Sequence, residues 1–190
     1  RECPDVLIDA LSKLEYRGYD SAGIAVFDGG EIKVAKSKGR LKDLVDKMNN
    51  TEKPGGHAGI GHTRWATHGE PSDVNSHPHS GKIVTIVHNG IIENYKALKD
   101  FLIASGREFQ SETDTEVVAQ LLDYYYEGNP LDTIIKTMNE LEGSFALGIV
   151  FSDFKDTVYA VRRESPLIVG VGEGESFIAS DVPAILKYTK

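Results

Sequence analysis

The residues best suited to chemistry lie close together in residues 62–70, which read His-Thr-Arg-Trp-Ala-Thr-His-Gly-Glu. Arg64 offers a planar pair of N–H donors that fits a carboxylate or a phosphate. Trp65 supplies a rigid wall, and Thr67 and His68 supply short-range hydrogen-bonding groups. Because binding residues concentrate in loops held by strands, this segment indicates a ligand site. The alternative is an ordinary strand end with a solvated arginine and a half-buried tryptophan.

A second pair, Asn89-Gly90, follows the β-branched run at residues 83–87. An asparagine amide beside a glycine N–H gives two donors that can converge on one oxygen atom. Two such donors are what an oxyanion needs, and losing one raises a reaction barrier by roughly 3–4 kcal/mol. The alternative is a plain strand-to-turn junction, since Asn-Gly tolerates positive φ.

A third candidate is Asp114, which stands just before a predicted helix. Aspartate is a preferred N-cap residue, and that structural role is one explanation for it. As a ligand, its carboxylate would pair with an ammonium group. Arg64 and Asp114 together would hold both charges of an α-amino acid.

Other familiar sites do not fit the sequence. Five histidines, at 62, 68, 77, 79 and 88, show neither the one-helix spacing nor the cysteine pairs of a zinc motif, so no metal is expected. No serine lies in a G-x-S-x-G elbow, and no glycine-rich phosphate loop precedes a helix. We therefore expect no cofactor.

The composition narrows the class of partner. The chain has 190 residues and a net charge of −8, which argues against binding nucleic acid because no basic stripe is available for phosphates. No apolar run approaches the roughly 20 residues that span a bilayer. The single cysteine, Cys3, rules out an internal disulfide framework and fits a reducing, cytoplasmic setting.

The elements predicted from periodicity alternate between strand pairs and helix pairs. Helices are expected over 4–16, 41–48 and 94–105, after 111–114 and from 129–130, with a short last helix capped by Ser180-Asp181. Strands are expected over 22–27, 31–37, 82–88, 144–151, 157–161, 167–171 and 177–179, and a further strand that includes the apolar run 58–61 carries the motif at residues 62–70. Asp28-Gly29-Gly30 signals a hairpin and hence antiparallel pairing. We predict an α+β domain in which two packed sheets are covered by helices on the outside.

Taken together, five motifs resemble one family. They are residues 14–23, 62–71, 88–94, 111–116 and 177–181, and they occur in the family's order. They look like the glutaminase domain of glutamine–fructose-6-phosphate aminotransferases, which are class II glutamine amidotransferases. Other class II members share the Asn-Gly pair but differ around the arginine motif. The likeness spans essentially the whole chain, residues 1–190.

This resemblance implies a fold and a reaction. The fold is that of N-terminal-nucleophile hydrolases, a four-layer αββα sandwich of two mainly antiparallel sheets. The reaction is hydrolysis of the L-glutamine side-chain amide to glutamate and ammonia, by an amino-terminal cysteine whose own α-amino group is the general base. In the full-length enzyme the ammonia converts fructose 6-phosphate to glucosamine 6-phosphate, and that enzyme is expected to be a homodimer.

The resemblance also assigns roles to individual residues. Arg64 matches the binder of the glutamine α-carboxylate, and Asp114 matches the binder of its α-amino group. Asn89 and Gly90 match the oxyanion hole.

Five further positions match in supporting roles. Thr67 and His68 line the same pocket, and Trp65 matches a wall that responds to its occupancy. Arg17 and Asp20 match a turn that holds the nucleophile.

One departure from the family stands out. Its members begin Cys-Gly-Ile-Val-Gly, a strand that carries the nucleophile, and the printed sequence begins Arg1-Glu2-Cys3-Pro4. Cys3 is not terminal and is interpreted as a structural or surface thiol. We therefore expect a glutaminase domain truncated at both ends, without sugar-phosphate isomerase domains and inactive alone. The alternatives are another class II amidotransferase and a non-catalytic amino-acid-binding or regulatory domain.

Overall fold

The computed structural model describes residues 1–66 and 68–190. Its helices are α1 (Cys3–Ser12), α2 (Leu41–Asn49), α3 (Tyr95–Ala104), α4 (Asp114–Tyr125) and α5 (Pro130–Met138). Its strands are β1 (Ser21–Asp28), β2 (Glu31–Lys38), β3 (Gly59–Arg64), β4 (His79–Ser80), β5 (Val84–Gly90), β6 (Phe145–Phe151), β7 (Tyr159–Arg163), β8 (Ile168–Val171) and β9 (Ser176–Ala179).

The first sheet has the order β2-β1-β3 and is antiparallel throughout. The predicted hairpin is present, with Asp28 opposite Glu31 and both intervening glycines at positive φ. The central strand β1 is buried on both faces, because its side chains alternate between two apolar clusters. Ile24 and Val26 pack against α1 and α2, whereas Ala25 and Phe27 point the other way.

The second sheet has the order β4-β5-β6-β7 and is also antiparallel. Helices α3, α4 and α5 cover its outer face and form the largest apolar cluster with it. Helix α4 lies deepest in this layer, since Val117, Val118, Leu121 and Leu122 are all fully buried. Burying one such side chain contributes about 1.5–3 kcal/mol.

The two sheets pack face to face through Ala25, Phe27 and Ile60 from the first sheet and Val150 from the second. With α1 and α2 outside one sheet and α3, α4 and α5 outside the other, the layers run αββα. The predicted α+β sandwich of two mainly antiparallel sheets is therefore confirmed. The described residues contain no helix that is both long enough and apolar enough to cross a membrane.

Several predicted boundaries were wrong. The helix predicted over 4–16 ends at Ser12, and a 3₁₀ turn, Glu15–Arg17, follows and stops at Gly18, whose φ is +110°. The short edge strand β4 lies in a segment for which no strand was predicted. The predicted short last helix is present as a 3₁₀ turn, Val182–Ala184, and Asp181 caps it as predicted by accepting the Val182 N–H at 2.8 Å.

Candidate active site

A cavity of about 390 Å³ opens where the ends of β3 and β5 meet the start of α4. Its wall is completed by the turn after α1 and by the segments around residues 165 and 180. Seven of the nine predicted site residues line it, namely Arg17, Arg64, Trp65, His68, Asn89, Gly90 and Asp114. Thr67 lies outside the described residues, and Asp20 lies behind the wall. Predicted site residues that are up to 97 positions apart in the sequence, Arg17 and Asp114, thus share one cavity.

The strand β3 delivers Arg64 to the cavity through simple alternation. Ile60, His62 and Arg64 are the buried residues of its six, so they share one face. The Arg64 side chain is only 4% exposed. One guanidinium nitrogen, Nη2, donates to the carbonyl oxygens of His68 and Gly69, the latter at 2.9 Å.

The other guanidinium nitrogen of Arg64, Nη1, is a buried donor without a hydrogen-bond partner within the described part of the chain. It lies 3.8 Å from the nearest Asp20 carboxylate oxygen. Burial lowers the pKa of the guanidinium, and the carboxylates of Asp20 and Asp114 oppose that shift. A buried, oriented cation with a free N–H group is suited to receive an anionic oxygen from a ligand.

Asp114 sits at the start of α4, and its structural role differs from the N-cap alternative. Thr113 is the N-cap, because its side chain accepts the Glu116 N–H, and Asp114 is the first helical residue. Its Oδ2 accepts the Ile92 backbone N–H at 2.9 Å, and its Oδ1 lies 3.9 Å from His68 Nδ1. The helix N-terminus favours a negative charge at this position. The carboxylate is therefore held in the cavity wall, where it can meet an ammonium group.

Asn89 and Gly90 end β5, with Gly90 opposite Phe145 of β6. The glycine has φ +116°, and a Cβ atom there would come within 2.1 Å of the Ser144 carbonyl oxygen. No other residue type fits this backbone without displacing β6. The Asn89 side-chain oxygen lies 2.7 Å from His62 Nε2. Both residues line the cavity, as an oxyanion hole requires.

The side chains of Trp65 and His68 complete the rim of the cavity. Trp65 is 68% exposed, and its ring lies directly over Gly18, where a Cβ atom would approach the ring to 2.5 Å. His68 contacts the ring of Tyr95 edge-on, with centroids 4.9 Å apart. Trp65 therefore covers the turn after α1, and His68 faces the start of α3.

Arg17 and Asp20 occupy different places in this arrangement. Arg17 lines the cavity and donates to the Ser180 hydroxyl at 2.7 Å. Asp20 accepts the Ala66 N–H with its side chain, and its own N–H donates to the Arg64 carbonyl at 2.7 Å. It thus fixes the chain on both sides of Trp65. Their expected role in holding a nucleophile stays a prediction.

Four histidines lie together beneath the cavity, and this grouping was not predicted from the sequence. His62 stacks on His77 with centroids 4.1 Å apart, and His77 also contacts His79 and His88. All four are buried, and burial lowers the pKa of His62 and of His88 to about 4. The available signal was the alternation that turns His62 inward with Arg64.

Threonine hydroxyls connect these histidines. Thr115 lies 2.9 Å from His88 Nδ1 and 3.3 Å from His77 Nε2, and Thr113 lies 3.0 Å from His79 Nε2. Within residues 1–66 and 68–190, no group of three or more His, Cys, Asp or Glu side chains has an arrangement suited to a metal ion. The histidines form a hydrogen-bonded floor to the cavity.

The loop that carries His77 is held by the partly buried cation of Lys36. Lys36 Nζ donates to the carbonyl oxygens of Val74, Ser76 and Pro78 at 3.2, 2.9 and 3.1 Å. Gly23 allows the close approach, because a Cβ atom there would lie 1.9 Å from the His77 carbonyl oxygen. These contacts hold the floor of the cavity against the first sheet.

Cys3 lies away from this site. It begins α1, donates its N–H to the Gly56 carbonyl at 2.7 Å and packs beside the apolar cluster under the first sheet. Burial raises the pKa of its thiol to about 12. Among the described residues, no cysteine lines the cavity. A thiol so poorly ionised is a weak nucleophile.

The fold and the cavity together define a glutamine amidotransferase domain of the N-terminal-nucleophile type. The family model described as "Glutamine amidotransferase domain" matches residues 62–187, and the chain belongs to that family. Among solved structures it is similar to the glutamine phosphoribosylpyrophosphate amidotransferase from B. subtilis, with 28% identity and a TM-score of 0.83. That match covers 99% of this chain and 42% of the other.

Curated relatives are more similar still. Over the whole length of this chain, the sequence is 59% identical to the glutamine–fructose-6-phosphate aminotransferase (isomerizing) of Clostridium acetobutylicum. It is 55% identical to the protein of the same name from Caldanaerobacter subterraneus subsp. tengcongensis, again over its whole length. The chain spans about a third of the length of these relatives, 31% in both cases. The predicted resemblance is confirmed.

Proposed function

We propose that this chain is the glutamine-binding and glutaminase part of a glutamine–fructose-6-phosphate aminotransferase. It binds L-glutamine and, within the full-length polypeptide, hydrolyses the side-chain amide to glutamate and ammonia. The proposal depends on one observation: Arg64 and Asp114 line the same cavity. Arg64 is buried and its Nη1 has no hydrogen-bond partner among the residues described, and the Asp114 carboxylate is held at the start of α4. Opposite charges at two fixed points suit the α-carboxylate and α-ammonium groups of an amino acid.

The reaction needs a third group near the glutamine side chain. Asn89 and Gly90 end a different strand of the same cavity and stand ready to stabilise the oxyanion that forms when the amide carbon is attacked. The attacking thiolate would form a thioester, the C–N bond would break and release ammonia, and water would then release glutamate. Since Cys3 lies elsewhere, we assign the role of nucleophile to the amino-terminal cysteine that the resemblance implies, in a segment before Arg1.

The ammonia acceptor and the remaining domains are also proposals. Identity of 59% to an aminotransferase named for fructose 6-phosphate favours that acceptor over the phosphoribosylpyrophosphate named for the 28% identical structure. A sugar-phosphate isomerase domain of the same polypeptide would then use the ammonia to make glucosamine 6-phosphate. A homodimer and a cytoplasmic location stay predictions.

Binding is tested on this chain by titration calorimetry with L-glutamine. Arg64→Ala should weaken binding about 10- to 100-fold, because charge-assisted hydrogen bonds are each worth about 1.5–3 kcal/mol. Asp114→Asn keeps the shape of the carboxylate and removes its charge, so it should weaken L-glutamine binding and leave binding of an analogue without the α-amino group unchanged. Arg40→Ala is the matched control, since Arg40 is an exposed arginine outside the cavity lining.

Catalysis is tested on the full-length polypeptide by the release of glutamate and ammonia. Asn89→Ala should lower kcat about 10²- to 10³-fold with a small change in KM, because an oxyanion donor acts mainly in the transition state. A full-length protein that starts with cysteine and binds glutamine but releases no glutamate would contradict the proposal. That result would favour the amino-acid-binding alternative.

A further inference from the structure

A short hydrogen bond lies behind the proposed oxyanion hole. His62 Nε2 and Asn89 Oδ1 are 2.7 Å apart, and the His62 ring is buried between the two sheets. An amide oxygen can only accept a hydrogen bond, so Nε2 must carry the proton. A neutral imidazole carries only one proton, so the other ring nitrogen, Nδ1, is then unprotonated. Consistently, Nδ1 of His62 has no hydrogen-bond partner in the part of the chain that the structure describes.

The surroundings keep this imidazole neutral and fixed. Burial lowers the pKa of His62 to about 4, so the ring is uncharged near neutral pH. One face of the ring stacks on His77, with an angle of 16° between the planes. The loop of His77 is itself held by the three hydrogen bonds of Lys36. His62 is therefore an oriented group whose short side-chain hydrogen bond is to Asn89, beside a further contact with the His88 backbone.

This donor decides which end of the Asn89 amide faces the substrate. The amide oxygen and nitrogen lie on opposite sides of the side-chain carbon, so an oxygen bound to His62 turns the NH₂ group away from it. An amide rotated by 180° would present its oxygen to the developing negative charge, which would repel it. We propose that His62 is a positioning residue that locks the Asn89 amide with its N–H donors toward the reacting carbonyl oxygen. This inference rests on the proposed function.

The test compares two substitutions of similar shape in the full-length polypeptide. His62→Gln keeps an N–H donor near the position of Nε2, whereas His62→Met has nearly the same length and no donor. His62→Met should lower kcat at least ten-fold and change KM less than two-fold, and His62→Gln should recover most of the lost kcat. Equal loss in both variants, or a loss that appears in KM instead of kcat, would overturn the inference.

A double-mutant cycle separates positioning from general structural damage. If His62 acts through Asn89, then His62→Met should cause little further loss of kcat in an Asn89→Ala background. A purely structural effect would multiply the two losses and would overturn the inference. Thermal melting of each variant shows that the compared proteins are folded.

A measurement on the unaltered chain does not depend on how any variant folds. Nitrogen-15 NMR of the His62 ring should show Nε2 protonated and Nδ1 bare between pH 6 and 8. The opposite tautomer would overturn the inference even in an active enzyme. Absence of glutaminase activity in the unaltered full-length protein would instead overturn the proposed function, and the inference with it.

Discussion

The layer between the two sheets has two ends of opposite character. At the apolar end, Ala25, Phe27, Ile60 and Val150 pack together. At the polar end, His62, Arg64, His77 and Asn89 meet beside the cavity. A single strand, β3, serves both ends, since Ile60, His62 and Arg64 follow one another on its buried face.

The two ends show how the same pair of sheets can be stabilised by apolar packing and also hold a buried charged group beside the cavity. Apolar burial at one end stabilises the contact between the sheets at about 25 cal/mol per Å². At the other end, the buried imidazole and guanidinium groups cost stability unless they are hydrogen-bonded. Their fixed orientation in a poorly solvated place is what makes them strong partners for a charged ligand. Substitutions at the two ends should therefore have separable effects.

The largest expected effect is on stability, at the apolar end. Phe27→Ala should lower the free energy of unfolding by about 3–5 kcal/mol, because Phe27 is 4% exposed and its removal leaves a cavity between the sheets. Glutamine affinity of the folded fraction should stay the same. Urea denaturation and calorimetry measure the two quantities. A large fall in affinity would show that the two ends are not independent.

The next effect concerns acid and the polar end. The pKa values of His62 and His88 are about 4 in the folded chain, against about 6.5 in the unfolded chain. Between these values the unfolded state binds more protons, so stability is full above about pH 6.5 and is lost as the pH falls toward 4. From pH 7 to pH 5 each histidine should account for about 2 kcal/mol.

Urea denaturation at pH 7 and at pH 5 measures this loss in the free energy of unfolding. Both pH values lie above the range in which most carboxylates become protonated, so the histidines are tested separately. The variant His62→Met should reduce the difference between the two pH values by the share of one histidine. An unchanged difference in that variant would show that the acid sensitivity comes from elsewhere in the molecule.

A smaller effect is expected where the floor of the cavity touches the first sheet. Gly23→Ala would place a methyl group against the His77 carbonyl oxygen, so the loop must shift. We expect about 1–3 kcal/mol of lost stability and weaker glutamine binding together. Gly29→Ala is the control for the loss of a glycine, because Gly29 has open space around its Cβ position, although its φ of +60° adds strain. Affinity that is equally reduced in both variants would contradict a specific role for this contact.

The smallest effect is a single methyl group at the apolar end of β3. Ile60→Val should cost about 1 kcal/mol of stability and leave glutamine affinity unchanged, even though Ile60 is two residues from His62. Chemical denaturation and calorimetry again make the comparison. A change in affinity above about two-fold would mean that strain passes along β3 from one end to the other.

Prediction from the sequence was most accurate where the local structure depends on residues that are adjacent in the chain. Asp28-Gly29-Gly30 predicts the first hairpin, and Asn89-Gly90 predicts the end of β5, because turn geometry depends on a few adjacent residues. The family motifs then indicated that Arg64, Asn89 and Asp114 share a site, and the cavity contains all three.

Contacts between distant segments could not be predicted in this way. The bond from His62 to Asn89 joins the two sheets, and it depends on how one sheet is rotated and shifted over the other. Likewise, Asp20 contacts Arg64 and Ala66 only because β1 and β3 pair with Ser21 opposite Arg64. Residue spacing along the chain contains no measure of these two registers.

The position of Trp65 at the rim of the cavity also determines the fluorescence of this protein. Trp65 is the single tryptophan of the chain, and it is mostly in water while the protein is folded. Its emission should therefore already lie near the wavelength of free indole and change little when the sandwich unfolds. Glutamine entering the cavity would remove water from the ring and shift the emission toward the blue. We therefore expect the tryptophan signal of this chain to report glutamine binding well and unfolding poorly.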